Sequence, residues 1–456
     1  MLSSIQMRRG AATFLAWLLA FTPSLQASAP LHAEILVFIP GYEASQLYDP
    51  DLENPSQAPV CVWGNYNTFL SSRRYFSLRQ PNPLVAKPLL AVGPLDLYRG
   101  FVNALTQARK ESPGFAPYTL DADFFIFAYD WRQEIATHTA PLLAHALEQY
   151  AIAHERRTGL PARETKFIIV GHSMGGLVAR TLLSQQPALA SRISRLYLVG
   201  TPNLGSVKAI NTLVLGPDSI KSLGSGFPGV LLKALPSNVD QNVTKLVGIT
   251  RPSLYELLPF DDPHWQVRQV DGQLSSVRAD DVLRTETWRP YWPSAQLEKS
   301  LYLDGWLKDR WMEGRKQIVP AEWEYCQDNG RLEKLKVLLS RARAWRSKMG
   351  SLSKTRQILT KGGEPSRLRV VLSDGVSTPA GIVTEGRHDD SRAFYNAYTN
   401  EGDGTVECRR VLEDLPSASP LVELLHDVAH QKLMIDPQFL KYLTRELSNQ
   451  APAKPR

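Results

Sequence analysis

The run Phe167-Ile168-Ile169-Val170-Gly171-His172-Ser173-Met174-Gly175-Gly176, continued by Leu177-Val178-Ala179-Arg180-Thr181-Leu182-Leu183, decides the fold class. Four apolar residues of strand length enter a Gly-x-Ser-x-Gly turn, and a helical pattern follows it. A strand, a sharp turn and a helix in that order lift the serine hydroxyl out of the end of a sheet, and small residues on both sides let the strained turn fit. Ser173 is therefore the candidate nucleophile. A serine hydroxyl attacks poorly until a base removes its proton, and that base needs a carboxylate to orient it.

Outward from this stretch, other apolar runs of strand length occur at Glu34 to Ile39, Phe124 to Ala128, Arg195 to Val199, Leu368 to Leu372 and Val422 to Val428. Helix-like stretches at Leu97 to Lys110, Pro141 to Arg156 and Gly175 to Ser184 alternate with the earlier ones. Continuous apolar strands separated by helices predict an α/β protein with a mostly parallel central sheet and helices on both faces. The expected organisation is a leader over 1–27, core halves over 34–206 and 366–445, a cap inserted over 207–365, and a disordered tail over 446–456.

In the expected cap the strand and helix rhythm stops, and seven of the ten tryptophans fall there: Trp265, Trp288, Trp292, Trp306, Trp311, Trp323 and Trp345. Aromatic side chains dominate core packing, so most of them are expected in the cap's own core, although tryptophan also suits a membrane interface. Arg331 to Met349 reads as an amphipathic helix, with Leu332, Leu335, Leu338, Leu339, Ala342 and Trp345 on one face. That face is expected to pack on its own protein.

The 456 residues are 43% hydrophobic and 21% charged, which excludes a disordered or fibrous chain. The net charge of +7 falls by two to +5 if Arg8 and Arg9 leave with the leader, too small a surplus for dedicated nucleic-acid binding. Those arginines precede the apolar run Ala11 to Phe21 and small residues near Ala27-Ser28-Ala29, the order of an export signal. The apolar run, at about eleven residues, is too short to span a bilayer, and an exported protein, soluble once its signal is removed, is expected. Cys61, Cys326 and Cys408 are too few and too scattered for a disulfide framework or a Cys-x-x-Cys zinc site. No metal or organic cofactor is implied.

For the base, chain order Ser, acid, His leaves His426 and His430 as the histidines after a late acid. His430 is preferred because it lies where the last apolar run gives way to a helical segment; His426 sits inside the run. For the acid, Asp403 in Gly402-Asp403-Gly404-Thr405-Val406 is preferred, with Asp374, directly after the run Leu368 to Leu372, as its rival. Charge developing on a substrate oxygen needs two preorganised N–H donors. The N–H of Met174, immediately after the nucleophile, is one, and the N–H of Tyr42, in the turn Pro40-Gly41-Tyr42, is assigned as the other.

The ordered motifs together resemble the lecithin:cholesterol acyltransferase-like family of α/β-hydrolases, which includes lysosomal phospholipase A2 and phospholipid:diacylglycerol acyltransferases. Phe38 to Leu47 resembles the family's opening Pro-Gly oxyanion segment, and Tyr129-Asp130-Trp131-Arg132 its most distinctive signature. Gly171 to Gly176 is similar to its elbow, Gly200 to Ser206 to the turn after the next strand, and Pro252 to Pro259 to the motif at the start of the cap. Gly402 to Val406 resembles its acid loop, and Val422 to Leu433 its histidine segment. The resemblance implies an α/β-hydrolase fold, a triad of Ser173, Asp403 and His430, and an oxyanion hole from Tyr42 and Met174. It also implies fatty acyl hydrolysis or O-acyl transfer on lipid esters; peripheral contact of the cap with a membrane or lipid aggregate is a separate expectation that the resemblance alone does not carry. The same triad on this fold also serves hydrolases of non-lipid esters or amides, and a catalytically silent lipid-binding protein is the reading from another class. Vertebrate members close an early lid loop with a disulfide; Cys61 has no cysteine near it, so that clip is not expected here.

Overall fold

The structure is a computed structural model that describes residues 31–50, 58–65, 78, 82–108, 114–215, 248–260, 265–268, 273–277, 288, 328–360, 366–385 and 394–448. The expected leader, much of the expected cap and the residues 449–456 lie outside the described residues.

Six strands form the central sheet: β1 (Glu34–Ile39), β2 (Phe124–Ile126), β3 (Lys166–His172), β4 (Ile193–Val199), β5 (Leu368–Asp374) and β6 (Val422–His426). They lie in the order β6-β5-β4-β3-β1-β2, and every pairing is parallel. Side chains alternate across a strand, so each strand serves two cores. Ile35, Val37 and Ile39 of β1 join Ile169, Leu196 and Val370 in one, while Leu36 and Phe38 join Ile168, Val199 and Val371 in the other. The first core is covered by α2 (Ala140–Thr158), α3 (Met174–Gln185), α6 (Asp328–Met349) and α7 (Leu352–Leu359); the second by α1 (Arg99–Thr106) and α9 (Pro437–Ser448). The molecule is therefore an α/β-hydrolase-type layered sheet, as the recurring apolar runs predict.

From β1 the chain moves to β2 at one edge, and from β3 onward it builds toward the other. The order reverses between β1 and β3, and in open parallel sheets the crevice outside the carboxyl ends at such a reversal is where ligands bind. The register Ile39↔Gly171 puts the turn after β1 beside the turn after β3.

Two short helices, α4 (Val207–Leu215) and α5 (Pro252–Glu256), follow the turn after β4, and α8 (Cys408–Leu412) precedes β6. In α6, Leu335, Leu338, Leu339, Ala342 and Trp345 are buried. Trp345 Nε1 donates to Thr181 Oγ1 of α3 at 3.0 Å, so this helix packs on its own protein. Trp288 is likewise buried, while the side chains of the other five tryptophans of that region lie outside the described residues. Among the described residues no helix is long and apolar enough to cross a membrane.

Some features go beyond the periodicity. Residues 45–49 pair with 60–63 and 85–88 in a small antiparallel sheet. A second sheet runs 274–277, 265–268, 378–385, 394–399, which joins strands from both sides of the 365/366 boundary. The run Val422 to Val428 is strand only as far as His426, because Asp427 turns the backbone with φ +60. Helix α9 runs three residues beyond 445, correcting the start of the tail: Leu447 is buried, and the Glu446 carboxylate accepts from Arg195 at 2.5 Å and Arg369 at 3.3 Å.

Candidate active site

At the end of β3, Ser173 takes φ +53 and ψ −124, a conformation an L-residue adopts only under constraint. Two contacts hold it. The Ser173 N–H donates to the Val199 carbonyl at the end of β4, 2.8 Å away, and the Ser173 carbonyl accepts the Gly176 N–H at 3.0 Å as α3 begins at Met174. Gly175 passes so near β1 that a Cβ there would collide with the Ile39 and Pro40 carbonyl oxygens, which only glycine avoids. Met174 is the first residue of α3, and the first N–H groups of a helix have no intrahelical acceptor. The turn after β1 stands against the elbow: a Cβ on Gly41 would lie 3.0 Å from Ser173 Cβ. Tyr42, Ser173 and His430 line one cavity of about 240 Å³, and Ser173 is partly exposed to it.

His430 opens a 3-10 turn, His430–Ile435, just beyond β6. Its Nδ1 lies 2.7 Å from Asp403 Oδ2, and its own N–H donates to the Asp403 carbonyl at 2.8 Å. The other carboxylate oxygen of Asp403 accepts the Thr405 and Val406 N–H groups at 3.0 and 2.8 Å. Asp403 is 1% exposed, so its orientation is set by the loop and not by solvent. With Nδ1–H donated to the carboxylate, the Nε2 lone pair of His430 is the basic one. The rival residues also meet: His426 Nδ1 lies 2.6 Å from Asp374 Oδ1, on the register pair that joins β5 and β6, with the imidazole side chain 67% exposed. Neither lines the cavity that holds Ser173.

The signature Tyr129 to Arg132 braces the turn after β1. Tyr129 Oη donates to the Pro40 carbonyl at 2.8 Å, and Trp131 Nε1 to the Ser45 carbonyl at 3.2 Å. Asp130 and Arg132 form a buried pair at 2.6 Å; burial alone would raise the carboxyl pKa, but the Arg132 charge and several hydrogen bonds hold it below the usual range. Arg132 also donates to the Leu78 and Asn82 carbonyls at 2.8 and 3.0 Å.

Sequence reasoning missed three contributors. Arg251, fully buried over the Trp131 ring, donates to Tyr42 Oη at 2.9 Å and Glu43 Oε1 at 2.7 Å, fixing the residues beside the assigned oxyanion donor. Tyr98 and His172 lie behind the elbow, and His172 is visible in the sequence only as the unassigned letter of Gly-His-Ser. Cys408 is a free thiol, Cys61 Sγ donates to the Trp63 carbonyl at 3.2 Å, and Cys326 lies outside the described residues. Burial first, then Asp374, Asp403 and Glu401, push the Cys408 thiol up to about 12, so it stays protonated and is no rival nucleophile at neutral pH.

The family model described as Lecithin:cholesterol acyltransferase matches residues 114–268, a span that includes Ser173 and the Tyr129 to Arg132 signature and ends before Asp403 and His430. No curated protein matches the chain. Among solved structures, a chain in "The crystal structure of Tle4-Tli4 complex" is similar at 13% identity and a TM-score of 0.59, covering 93% of this chain and 100% of that one. The Bacillus licheniformis lipase BlEst2 in mature form is similar at 10% identity and a TM-score of 0.32, covering 93% of this chain and 96% of that one. The first of these carries the fold alone. The six parallel strands and the Tle4-Tli4 likeness give the chain an α/β-hydrolase-type fold, and within it residues 114–268 match the lecithin:cholesterol acyltransferase family model.

Proposed function

We propose that the protein is an exported serine acyl hydrolase or O-acyltransferase that acts on lipid esters through an acyl-enzyme. Ser173 Oγ attacks the ester carbonyl while His430 Nε2 takes its proton, and Asp403 holds the imidazole in the tautomer that leaves Nε2 basic. The N–H groups of Tyr42 and Met174 stabilise the oxyanion, the second helped by the positive end of the α3 dipole. Collapse of the tetrahedral intermediate expels the alcohol, which receives the proton from His430. Water or a second alcohol, deprotonated by the same imidazole, then releases the acyl group as acid or as a new ester.

The observation that carries this reading is the 2.7 Å contact between His430 and a buried Asp403 whose second oxygen is already filled, at the edge of the cavity that Ser173 enters. The family match supports a lipid ester as substrate. The leader supports export, and the insertion 207–365 is our candidate for contact with a lipid surface.

The test is incubation of purified protein with phospholipid plus a fatty alcohol, followed by lipid mass analysis. Free fatty acid reports hydrolysis, and a new ester reports transfer. Ser173→Ala should lower either rate at least about a thousandfold. A variant that keeps the wild-type rate, or a wild-type protein that releases neither product, ends the proposal.

A further inference from the structure

Behind the elbow a buried hydrogen-bonded chain joins four segments that meet only in the folded protein. His172 Nε2 lies 3.1 Å from the His430 carbonyl oxygen, which accepts and cannot donate, so Nε2 carries the hydrogen. A neutral imidazole then offers Nδ1 as an acceptor, and Nδ1 lies 2.8 Å from Tyr98 Oη. The tyrosine O–H therefore points at His172, and its oxygen is left to accept the Gly41 N–H at 3.3 Å. Burial first, then His430 alongside, hold the His172 pKa well below its usual range, and burial raises that of Tyr98, so both stay in the neutral forms this direction requires. The rings reinforce the order: His172 stacks tilted on His430 with centroids 4.9 Å apart, and Tyr98 meets His172 edge-on at 5.7 Å.

The atoms held are consequential. The Pro40 carbonyl accepts from Tyr129 Oη at 2.8 Å, and the Gly41 N–H donates to Tyr98. These are the two polar atoms of a single planar peptide unit, so the unit is pinned at both ends and cannot rotate. The next unit along carries the N–H of Tyr42, the assigned oxyanion donor. At the other end of the chain, the carbonyl held by His172 belongs to the base itself.

We propose that Tyr98 and His172 are positioning residues that set the oxyanion donor of the turn after β1 and the base after β6 in one register, by the chain Gly41 N–H to Tyr98 Oη, Tyr98 O–H to His172 Nδ1, His172 Nε2–H to the His430 carbonyl. Both border the Ser173 cavity but are only 4% and 5% exposed, and their polar atoms are engaged with each other and with the backbone, so their part is to position other groups and not to react. Both act on groups whose placement matters most when charge develops in the transition state, where a donor misplaced by a fraction of an ångström loses most of its effect. The proposal rests on the acyl-enzyme reading above.

The experiment is steady-state hydrolysis of a p-nitrophenyl ester together with the rate of labelling by a fluorophosphonate probe, on the full chain. Wild-type labelling that Ser173→Ala abolishes establishes the acyl-enzyme reading independently; no labelling of the wild type overturns that reading and this proposal with it. Given labelling, Tyr98→Phe is expected to lower kcat about 10- to 100-fold with KM within about twofold, because a contribution made only in the transition state leaves substrate binding alone. His172→Gln keeps a donor toward the His430 carbonyl, but with its amide nitrogen held there its amide oxygen is displaced from the position where Nδ1 accepts from Tyr98, and it is expected to lower kcat comparably. The double variant should fall no more than about threefold below the worse single one, since both break one chain. Unchanged kcat in Tyr98→Phe, a rise in KM alone, or losses that multiply in the double variant overturn the proposal while leaving the acyl-enzyme reading in place. Where Tyr98→Phe fails to fold, as seen by circular dichroism, the same kcat and KM split in His172→Gln decides it.

Discussion

The chain brings together two histidine–carboxylate pairs whose distances barely differ. His430 and Asp403 approach to 2.7 Å, His426 and Asp374 to 2.6 Å. Their surroundings differ in every other respect. The first pair has side chains 10% and 1% exposed, and the carboxylate's second oxygen is filled by two backbone N–H groups. The second pair has side chains 67% and 34% exposed at the ends of neighbouring strands. A short contact thus does not by itself single out either pair. Register alone delivers the exposed pair, since β5 and β6 set Asp374 opposite His426, whereas the buried pair needs a loop built to return Asp403 to His430. In water such a pair competes with hydration and holds its geometry loosely; inside, the carboxylate has nowhere else to point.

The strongest way to break this comparison is to disable each pair in turn. His430→Ala is expected to lower kcat at least about a thousandfold, and Asp403→Asn by about as much, because the amide stabilises the wrong tautomer of the imidazole. Esterase assays across both pairs check this. A large loss on Asp374→Asn with activity retained in Asp403→Asn would reverse the assignment of the acid.

Buried carboxylates outside the site sharpen the comparison by stability instead of rate. Asp130 sits beside Arg132, and removing one partner strands the other charge, so Asp130→Ala is expected to cost about 3–5 kcal/mol by urea denaturation. Its folded pKa lies below the ordinary value, so the pair's contribution is complete at neutral pH and is lost only as pH falls through that depressed pKa. Glu256 behaves oppositely. It is buried at the end of α5, where its Oε2 accepts the Ile135 N–H from the segment before α2 at 2.7 Å, and burial pushes its pKa from 4.5 up to about 8. Between those two values the folded state holds a proton that the unfolded state has released, so stability should decline as pH rises from about 4.5 to about 8 and then level off. Thermal melts over this range should show that decline in the wild type and lose Glu256's share of it in Glu256→Gln; an identical slope in both would remove Glu256 as its source.

The exposed and buried pairs also show where sequence reading reached. All six strands of the central sheet were legible, with β1 correct at both ends, the inner ones because strands buried on both faces read as unbroken apolar runs, whereas the edge strand β6 is partly exposed and carries Glu423 and His426. The elbow was legible because strand, glycine turn and helix are contiguous. The choice between Asp374 and Asp403 was not settled by local pattern: Asp374 has the strand-end position, Asp403 only its glycine loop. The excursion through 378–385 and 394–399 that separates them left no clear period, and the return of the chain after it is a tertiary event. Arg251, Tyr98 and His172 carried no signal at all, since their partners lie 209, 57 and 258 residues away in the chain.

The smallest effect is expected at the exposed pair, and its smallness is what the comparison requires. Asp374→Asn and His426→Ala should each leave kcat and KM within about twofold, because neither side chain lines the cavity with Ser173. Each should cost at most about 1 kcal/mol, the usual range for a solvent-exposed ion pair, and raising salt to about 1 M should shrink what there is. A double-variant cycle measured by urea denaturation at low and high salt isolates the coupling between the two residues from their separate contacts. A coupling well above 1 kcal/mol that salt does not touch would mean that the pair is shielded in solution, and the contrast drawn from exposure would then fail at its weaker end. A coupling near zero leaves the 2.6 Å contact as a consequence of strand register, in keeping with the proposed role of the carboxylate that the fold has taken out of water.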